Sequence, residues 1–89
     1  MDDERLRALH DHLAATGERP VERTAARWLG EAEAIAEDIA HGHMETAVQR
    51  DRLEKVEQLL RNVEGTGDDD ADEHVAEARA IVDALLGDG

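Results

Sequence analysis

The chain has 89 residues, with 23 Asp and Glu against 10 Lys and Arg, a net charge of -13 and no cysteine. This length fits one domain, residues 1–89, close to the size at which a single core gives little net stability. The lack of cysteine excludes disulfides and thiol chemistry, and the lack of a basic patch argues against nucleic acid as a ligand.

Helical periodicity begins near the N-terminus. The first predicted helix covers residues 3–15, because Leu6, Leu9 and Leu13 recur at spacings of three and four and so share one face. The residues before them are charged, and no run in the chain approaches the length of about 18 apolar residues that suggests a membrane span. We therefore expect a cytoplasmic protein that makes no membrane contact.

The second predicted helix covers residues 20–41. Pro20 suits its first turn, and Gly42 is expected to close it in a left-handed conformation. Gly30 interrupts this helix, and close approach by another helix is the expected compensation. Its apolar residues alternate between spacings of four and three, as in a heptad repeat; they are Val21, Ala25, Trp28, Ala32, Ile35 and Ile39.

Two further helices follow. The third covers residues 44–64, and the short connection before it makes the second and third helices an antiparallel hairpin. The fourth covers residues 70–86, and Asp70 with Glu73 resembles a capping box at its start. The apolar faces of these two helices are Leu53, Val56, Leu60 and Val63, then Ala71, Val75, Ala78, Val82 and Leu85.

The predicted fold is all-α, an up-down helical bundle of three long helices plus a shorter N-terminal helix. Its core is thin, because alanine is the commonest of its apolar residues. Oligomerisation is a usual remedy for a small core. We therefore expect the chain to contact a protein partner, first of all a second copy of itself in a homodimer.

The single aromatic residue admits two interpretations. In a heptad position, Trp28 fills the space that its alanine neighbours leave open in the core. Alternatively, Trp28 and Leu29 are partly exposed and anchor a partner protein, since tryptophan is enriched at interface hot spots.

The histidines suggest a metal site at one end of the hairpin. Asp38, His41 and His43 offer one oxygen and two nitrogen ligands of the kinds that bind zinc. This set defines the alternative hypothesis, a small metal- or ligand-binding module. His10 is not expected to join it, because a tight turn at residues 16–20 would put His10 about 8 Å and His41 about 32 Å from that turn.

The sequence does not predict an enzyme. It has no serine or cysteine to act as a nucleophile and no glycine-rich phosphate loop. Asp68, Asp70 and Asp72 fall at alternate positions of a calcium loop, but Glu73 and Arg79 stand where that loop requires glycine and a bidentate glutamate. We therefore predict no catalytic residue and no cofactor.

The segments TAARWLGEAEAIAEDIA (24–40) and VEGTGDDDADEHVAEAR (63–79) resemble short haloarchaeal proteins of uncharacterised function and, more loosely, small archaeal helical-bundle proteins. The resemblance implies a bundle fold and a salt-loaded cytoplasm, and it carries over no catalytic or binding residue. The acidic composition is consistent with concentrated salt, which screens charge repulsion within about 3 Å at 1 M. The resulting hypothesis is a non-enzymatic acidic bundle that mediates protein–protein contact, as a self-associating protein or an adaptor, in a high-salt cytoplasm.

Overall fold

The computed structural model describes residues 2–87, and every regular element in that range is an α-helix. The all-α prediction is confirmed, but the expected three long helices and one short helix are replaced by four helices of similar length. The third helix begins at Thr46 and ends at Arg61, inside its predicted limits of 44 and 64. The helices are α1 (Asp3–Thr16), α2 (Arg23–His41), α3 (Thr46–Arg61) and α4 (Asp69–Gly87), with 14, 19, 16 and 19 residues. No helix within the described range is long and apolar enough to cross a membrane.

The four helices form a closed ring. Both α1 and α3 pack against α2 and α4. Helices α3 and α4 are antiparallel, since Arg50 early in α3 reaches Leu86 at the end of α4, whereas Arg79 reaches Leu60 near the end of α3. The contacts that α1 makes with α2 and α4 show that the N-terminal helix packs within its own chain.

The core follows the predicted apolar faces of α1, α3 and α4, whose leucine, valine and alanine residues are buried. In α2 the buried face is rotated, because Leu29 and Ala36 lie inside while Trp28 and Ile35 are only half-buried. A helix in a bundle buries a band at least about 100° wide, and the heptad positions of Trp28 and Ile35 fall at the edge of that band. The buried residues of α2 are Ala25, Leu29, Ala32, Ala36 and Ile39.

A linker, residues 17–22, joins α1 to α2. It begins with a turn, in which the N–H groups of Glu18 and Arg19 donate hydrogen bonds to the carbonyl oxygens of Ala15 and Thr16, and its backbone is extended at Glu22. The backbone N–H of Glu22 donates a hydrogen bond of 2.7 Å to the carbonyl oxygen of Thr66, in the loop between α3 and α4. The Glu22 carboxylate accepts a hydrogen bond from the backbone N–H of Thr24 and so caps α2. Helix α2 therefore begins at Arg23, and Pro20 lies in the linker instead of in the first helical turn.

Arg19 fixes the linker to the start of α4. Its guanidinium donates hydrogen bonds of 2.9 and 3.1 Å to the two carboxylate oxygens of Asp68 and lies 3.3 Å from the Asp70 carboxylate. The hydrogen bond between Arg19 and Asp68 is the main cause that raises the pKa of Arg19 and lowers the pKa of Asp68 from its ordinary 3.8. A hydrogen bond from the backbone N–H of Ala71 to Asp68 lowers the Asp68 pKa further.

Asp68 also caps α4, because the Ala71 N–H that it accepts belongs to the first turn of that helix. The capping box expected at Asp70 and Glu73 is therefore wrong, and α4 begins at Asp69. The cap depends on Thr66, which is fully buried. The Thr66 hydroxyl accepts a hydrogen bond of 3.1 Å from the backbone N–H of Asp68 and so holds the capping residue in place.

Two glycines differ from expectation. Gly42 is extended, with φ of -89°, and its role is steric: a Cβ atom there would lie 2.5 Å from the carbonyl oxygen of Asp38. Gly30 was expected to admit a neighbouring helix, but a Cβ atom at this position would meet nothing within 4 Å. The glycine inside α2 therefore serves no packing contact in this fold.

Candidate functional site

The structure separates the two residues of the predicted partner anchor. Leu29 is 2% exposed and belongs to the core, so a partner cannot reach it in the folded chain. Trp28 is half-buried and packs against the edge of the core. The guanidinium carbon of Arg27 lies 5.8 Å from the centroid of its ring, within the range of a cation–π contact. Trp28 therefore combines a packing role with a solvent-facing surface.

Three of the apolar side chains that the core leaves partly uncovered, Trp28, Ile35 and Val48, lie on α2 and α3. With Asp51, Arg52, Glu54, Lys55 and Gln58 they define what we call the α2–α3 face. Ile35 follows Trp28 by seven residues and so lies on the same side of α2. It lines a shallow groove with the five α3 residues between 51 and 58 that complete this set. Val48 is 42% exposed and lies one helical turn before Arg52.

The α2–α3 face differs in charge from the rest of the molecule. Helix α3 carries more cations than anions, whereas α4 carries six acidic residues and a single arginine. The chain's one lysine, Lys55, lies on this face. The cations of α3 are Arg50, Arg52, Lys55 and Arg61, and its anions are Asp51, Glu54 and Glu57. The charged residues of the face itself, Asp51, Arg52, Glu54 and Lys55, sum to zero, so in a protein of net charge -13 this face repels another acidic surface less than α4 does.

Two pairs of histidines join α1 to its neighbours. His12 and His74, on α4, place their Nδ1 atoms 2.9 Å apart. His10 and His41, on α2, meet edge to face with ring centroids 5.9 Å apart. The expectation that His10 and His41 lie far apart is therefore wrong.

The linker is the reason for that error. The linker turns at residues 17–19 and then leads back along α2 to the extended Glu22, so α1 packs further along α2 than a tight turn allows. Accordingly, Gly17 at the end of α1 lies beside Glu33, in the middle of α2. The same displacement brings His10 level with the end of α2, where His41 lies.

The predicted metal ligands are not assembled as a set. His41 contacts the ring of His10, and His43 is exposed in the short connection that follows α2. Across residues 2–87, no three histidine, aspartate or glutamate side chains already stand close enough to hold a metal ion. Asp38, His41 and His43 therefore do not stand together as a ready metal site.

A family profile described as a domain of unknown function, DUF8152, matches residues 5–89. The chain belongs to this family. The match covers the whole of α2, α3 and α4 and all but the first two residues of α1. No curated protein and no solved structure matches the chain.

Two arginines donate hydrogen bonds to backbone carbonyl oxygens at or near the ends of neighbouring helices. The sequence did not predict this structural role. Arg79 donates hydrogen bonds of 2.6 Å to the carbonyl oxygen of Leu60, in the last turn of α3, and to that of Val63, just beyond it. Arg50 donates to the carbonyl oxygen of Leu86, in the last turn of α4. Helix ends leave such carbonyls without intrahelical partners. Arg79 also lines a cleft of about 210 Å³ between α3 and α4, and because its guanidinium is bound to backbone we assign it a structural role.

Proposed function

We propose that this protein is a non-enzymatic acidic bundle whose work is protein–protein contact, first with a second copy of itself, through the α2–α3 face. The observation that carries the proposal is that Trp28, Ile35 and Val48 leave apolar surface uncovered on the two neighbouring helices α2 and α3. Within residues 2–87, Val48 is the one large apolar side chain classed as exposed. Tryptophan beside a polar groove is a common composition for an interface anchor.

The charge distribution supports this choice of surface. A symmetric dimer brings the same patch of both copies together, so any net charge on that patch repels itself. Helix α4, with six acidic residues and one arginine, is poorly suited to such contact. Helix α3 has a slight excess of cations, and arginine and carboxylate groups on its groove can pair across a two-fold axis.

We propose that this contact forms in a high-salt cytoplasm. The net charge of -13 on 89 residues opposes association in dilute buffer, whereas salt near 1 M reduces the screening length to about 3 Å. Apolar contact between the two copies is not weakened by that screening. We therefore expect self-association to strengthen as salt rises.

Mass measurement by light scattering in molar potassium chloride, over a range of protein concentrations, tests the proposal. We expect a concentration-dependent rise toward twice the chain mass of 9.8 kDa, with a blue shift of Trp28 fluorescence as the indole loses water. Val48→Asp replaces the exposed apolar side chain of the face with a carboxylate and should give a monomer. Ala80→Asp, at an exposed position of α4, is the matched control and should still associate.

A monomer at every concentration in molar salt would contradict self-association. An equal loss of mass in both variants would contradict the choice of face, since the added charge alone would then be the cause. Circular dichroism of each variant establishes that the helices are retained.

A further inference from the structure

We propose that His12 and His74 form a binding site for a divalent transition-metal ion of the class that imidazole prefers, with zinc as its representative. The site is distinct from the Asp38, His41 and His43 set and from the α2–α3 face. It lies between α1 and α4, where the two Nδ1 atoms are 2.9 Å apart and both rings are part-buried.

The spacing of the two nitrogens suits a shared ion. Zinc binds histidine nitrogen at about 2.0–2.1 Å in tetrahedral geometry, which requires the two nitrogens to be about 3.3 Å apart. The two nitrogens are 2.9 Å apart and the ring centroids 5.2 Å apart, so the nitrogens lie almost on the line between the rings, and both rings must turn before their lone pairs converge on one ion. The two rings also come from different helices, so helix packing has already brought them together and less ordering is required on binding.

Carboxylates are available to complete the coordination. His12 and His74 line a shallow depression together with Glu73 and Glu77. Glu77 lies three residues after His74, which puts the two side chains on neighbouring positions of the α4 surface. Both glutamates are exposed, so rotation of one side chain supplies an oxygen ligand and water supplies the remaining position. Because no three ligands are already in place across residues 2–87, this rotation is a required part of the proposal.

The second histidine pair provides an internal comparison. His10 and His41 also join two helices, but their rings meet edge to face at an angle of 81° with centroids 5.9 Å apart. The hydrogen bond between His12 and His74, by contrast, requires one Nδ1 to donate and the other to present its lone pair. When both rings carry their proton on Nε2, no hydrogen bond joins the two Nδ1 atoms, and both lone pairs are free to turn toward a shared metal ion.

Calorimetric titration of the full chain with zinc chloride, at high potassium chloride and neutral pH, tests the site, and magnesium serves as the oxygen-preferring control ion. We expect one zinc ion per chain and no heat with magnesium. His12→Ala and His74→Ala should each abolish zinc binding, and Glu77→Gln should weaken it about tenfold. His41→Ala is the matched control, since it removes the other interhelical pair, and should leave zinc binding unchanged.

The melting temperature of each variant without metal shows whether it folds, and zinc should raise that temperature only where His12 and His74 are both present. Cobalt(II) gives a second readout that does not depend on stability, because its weak visible absorption in water strengthens and shifts when imidazole nitrogen binds it. No zinc heat with the native chain, binding that survives in His74→Ala, or binding lost in His41→Ala would each overturn the assignment. Self-association is measured without metal, so failure of either proposal leaves the other standing.

Discussion

The guanidinium of Arg79 on α4 donates a hydrogen bond of 2.6 Å to the carbonyl oxygen of Leu60, and a second of the same length to that of Val63. One side chain thus binds one carbonyl in the last turn of α3 and one just beyond it, and so ties α3 to α4 across their cleft. Hydrogen bonds to charged groups contribute about 1.5–3 kcal/mol.

We expect Arg79→Ala to lower the free energy of unfolding by an amount in that range, measured by urea denaturation. Arg61→Ala is the control. Arg61 pairs with Glu57 one turn away at 3.2 Å but its side chain is 72% exposed, and such pairs contribute about 0.3–0.5 kcal/mol. Equal losses of unfolding free energy in the two variants would show that the hydrogen bonds of Arg79 stabilise the fold no more than an exposed ion pair does.

The two glycines near and within α2 should respond to alanine in opposite directions. Gly30→Ala should raise the free energy of unfolding by about 1 kcal/mol, because alanine favours helix and nothing lies within 4 Å of the added methyl group. Gly42→Ala should lower it, because the methyl group would lie 2.5 Å from the Asp38 carbonyl oxygen. Thermal unfolding of both variants measures the two signs. A destabilised Gly30→Ala would mean that another helix does approach this position.

The contact between Arg19 and Asp68 should make stability depend on acid. The pKa of Asp68 in the folded chain is lowered from 3.8, chiefly by its hydrogen bond with Arg19. The contribution of the ionised carboxylate is therefore fully present above the unfolded value and is lost as the pH falls through the lower folded value.

Asp68→Asn should accordingly reduce stability at neutral pH, and the difference from the native chain should shrink as the pH falls below about 4. Denaturation at a series of pH values measures this difference. Asp69→Asn is the control for loss of charge at the start of α4, because Asp69 occupies the same first turn. An Asp68→Asn deficit that stays constant down to pH 2 would contradict the assignment.

Salt should stabilise the fold. The native chain holds 23 acidic side chains together at a net charge of -13, and screening of their repulsion favours the compact state. We expect the melting temperature to rise between about 0.1 and 3 M potassium chloride. Neutralising Glu31 and Glu37, both exposed on α2, should make that rise shallower. A melting temperature that does not change with salt would contradict this prediction.

Periodicity was sufficient to predict the helices and most of the core. Leu6, Leu9 and Leu13 are buried as their spacing predicted, and so are the predicted apolar faces of α3 and α4. The apolar residues of α2 fit two adjacent stripes, one through Trp28 and one through Leu29. Periodicity alone does not decide which of the two stripes is buried. That choice depends on how α2 sits between its two neighbours.

Contacts between distant segments were beyond the sequence argument. The pairing of His10 with His41 depends on a linker that leads back along α2, and a proline with one glycine nearby is equally consistent with a tight turn. In the sequence, Arg79 is notable only because it stands where a calcium loop requires glutamate. No neighbouring residue indicates that its guanidinium reaches the carbonyls of Leu60 and Val63. Long side chains find such partners only after the helices have packed.

The linker's attachment to the loop between α3 and α4 has a consequence for how the bundle opens. Arg19 and Asp68 are 49 positions apart in the chain, yet α1 cannot swing away together with the linker without releasing the residue that caps α4. The amide protons of Glu22 and Ala71, each bound at this junction, should therefore exchange with deuterated solvent at matching rates. Two remote stretches of the chain would then open as one cooperative unit.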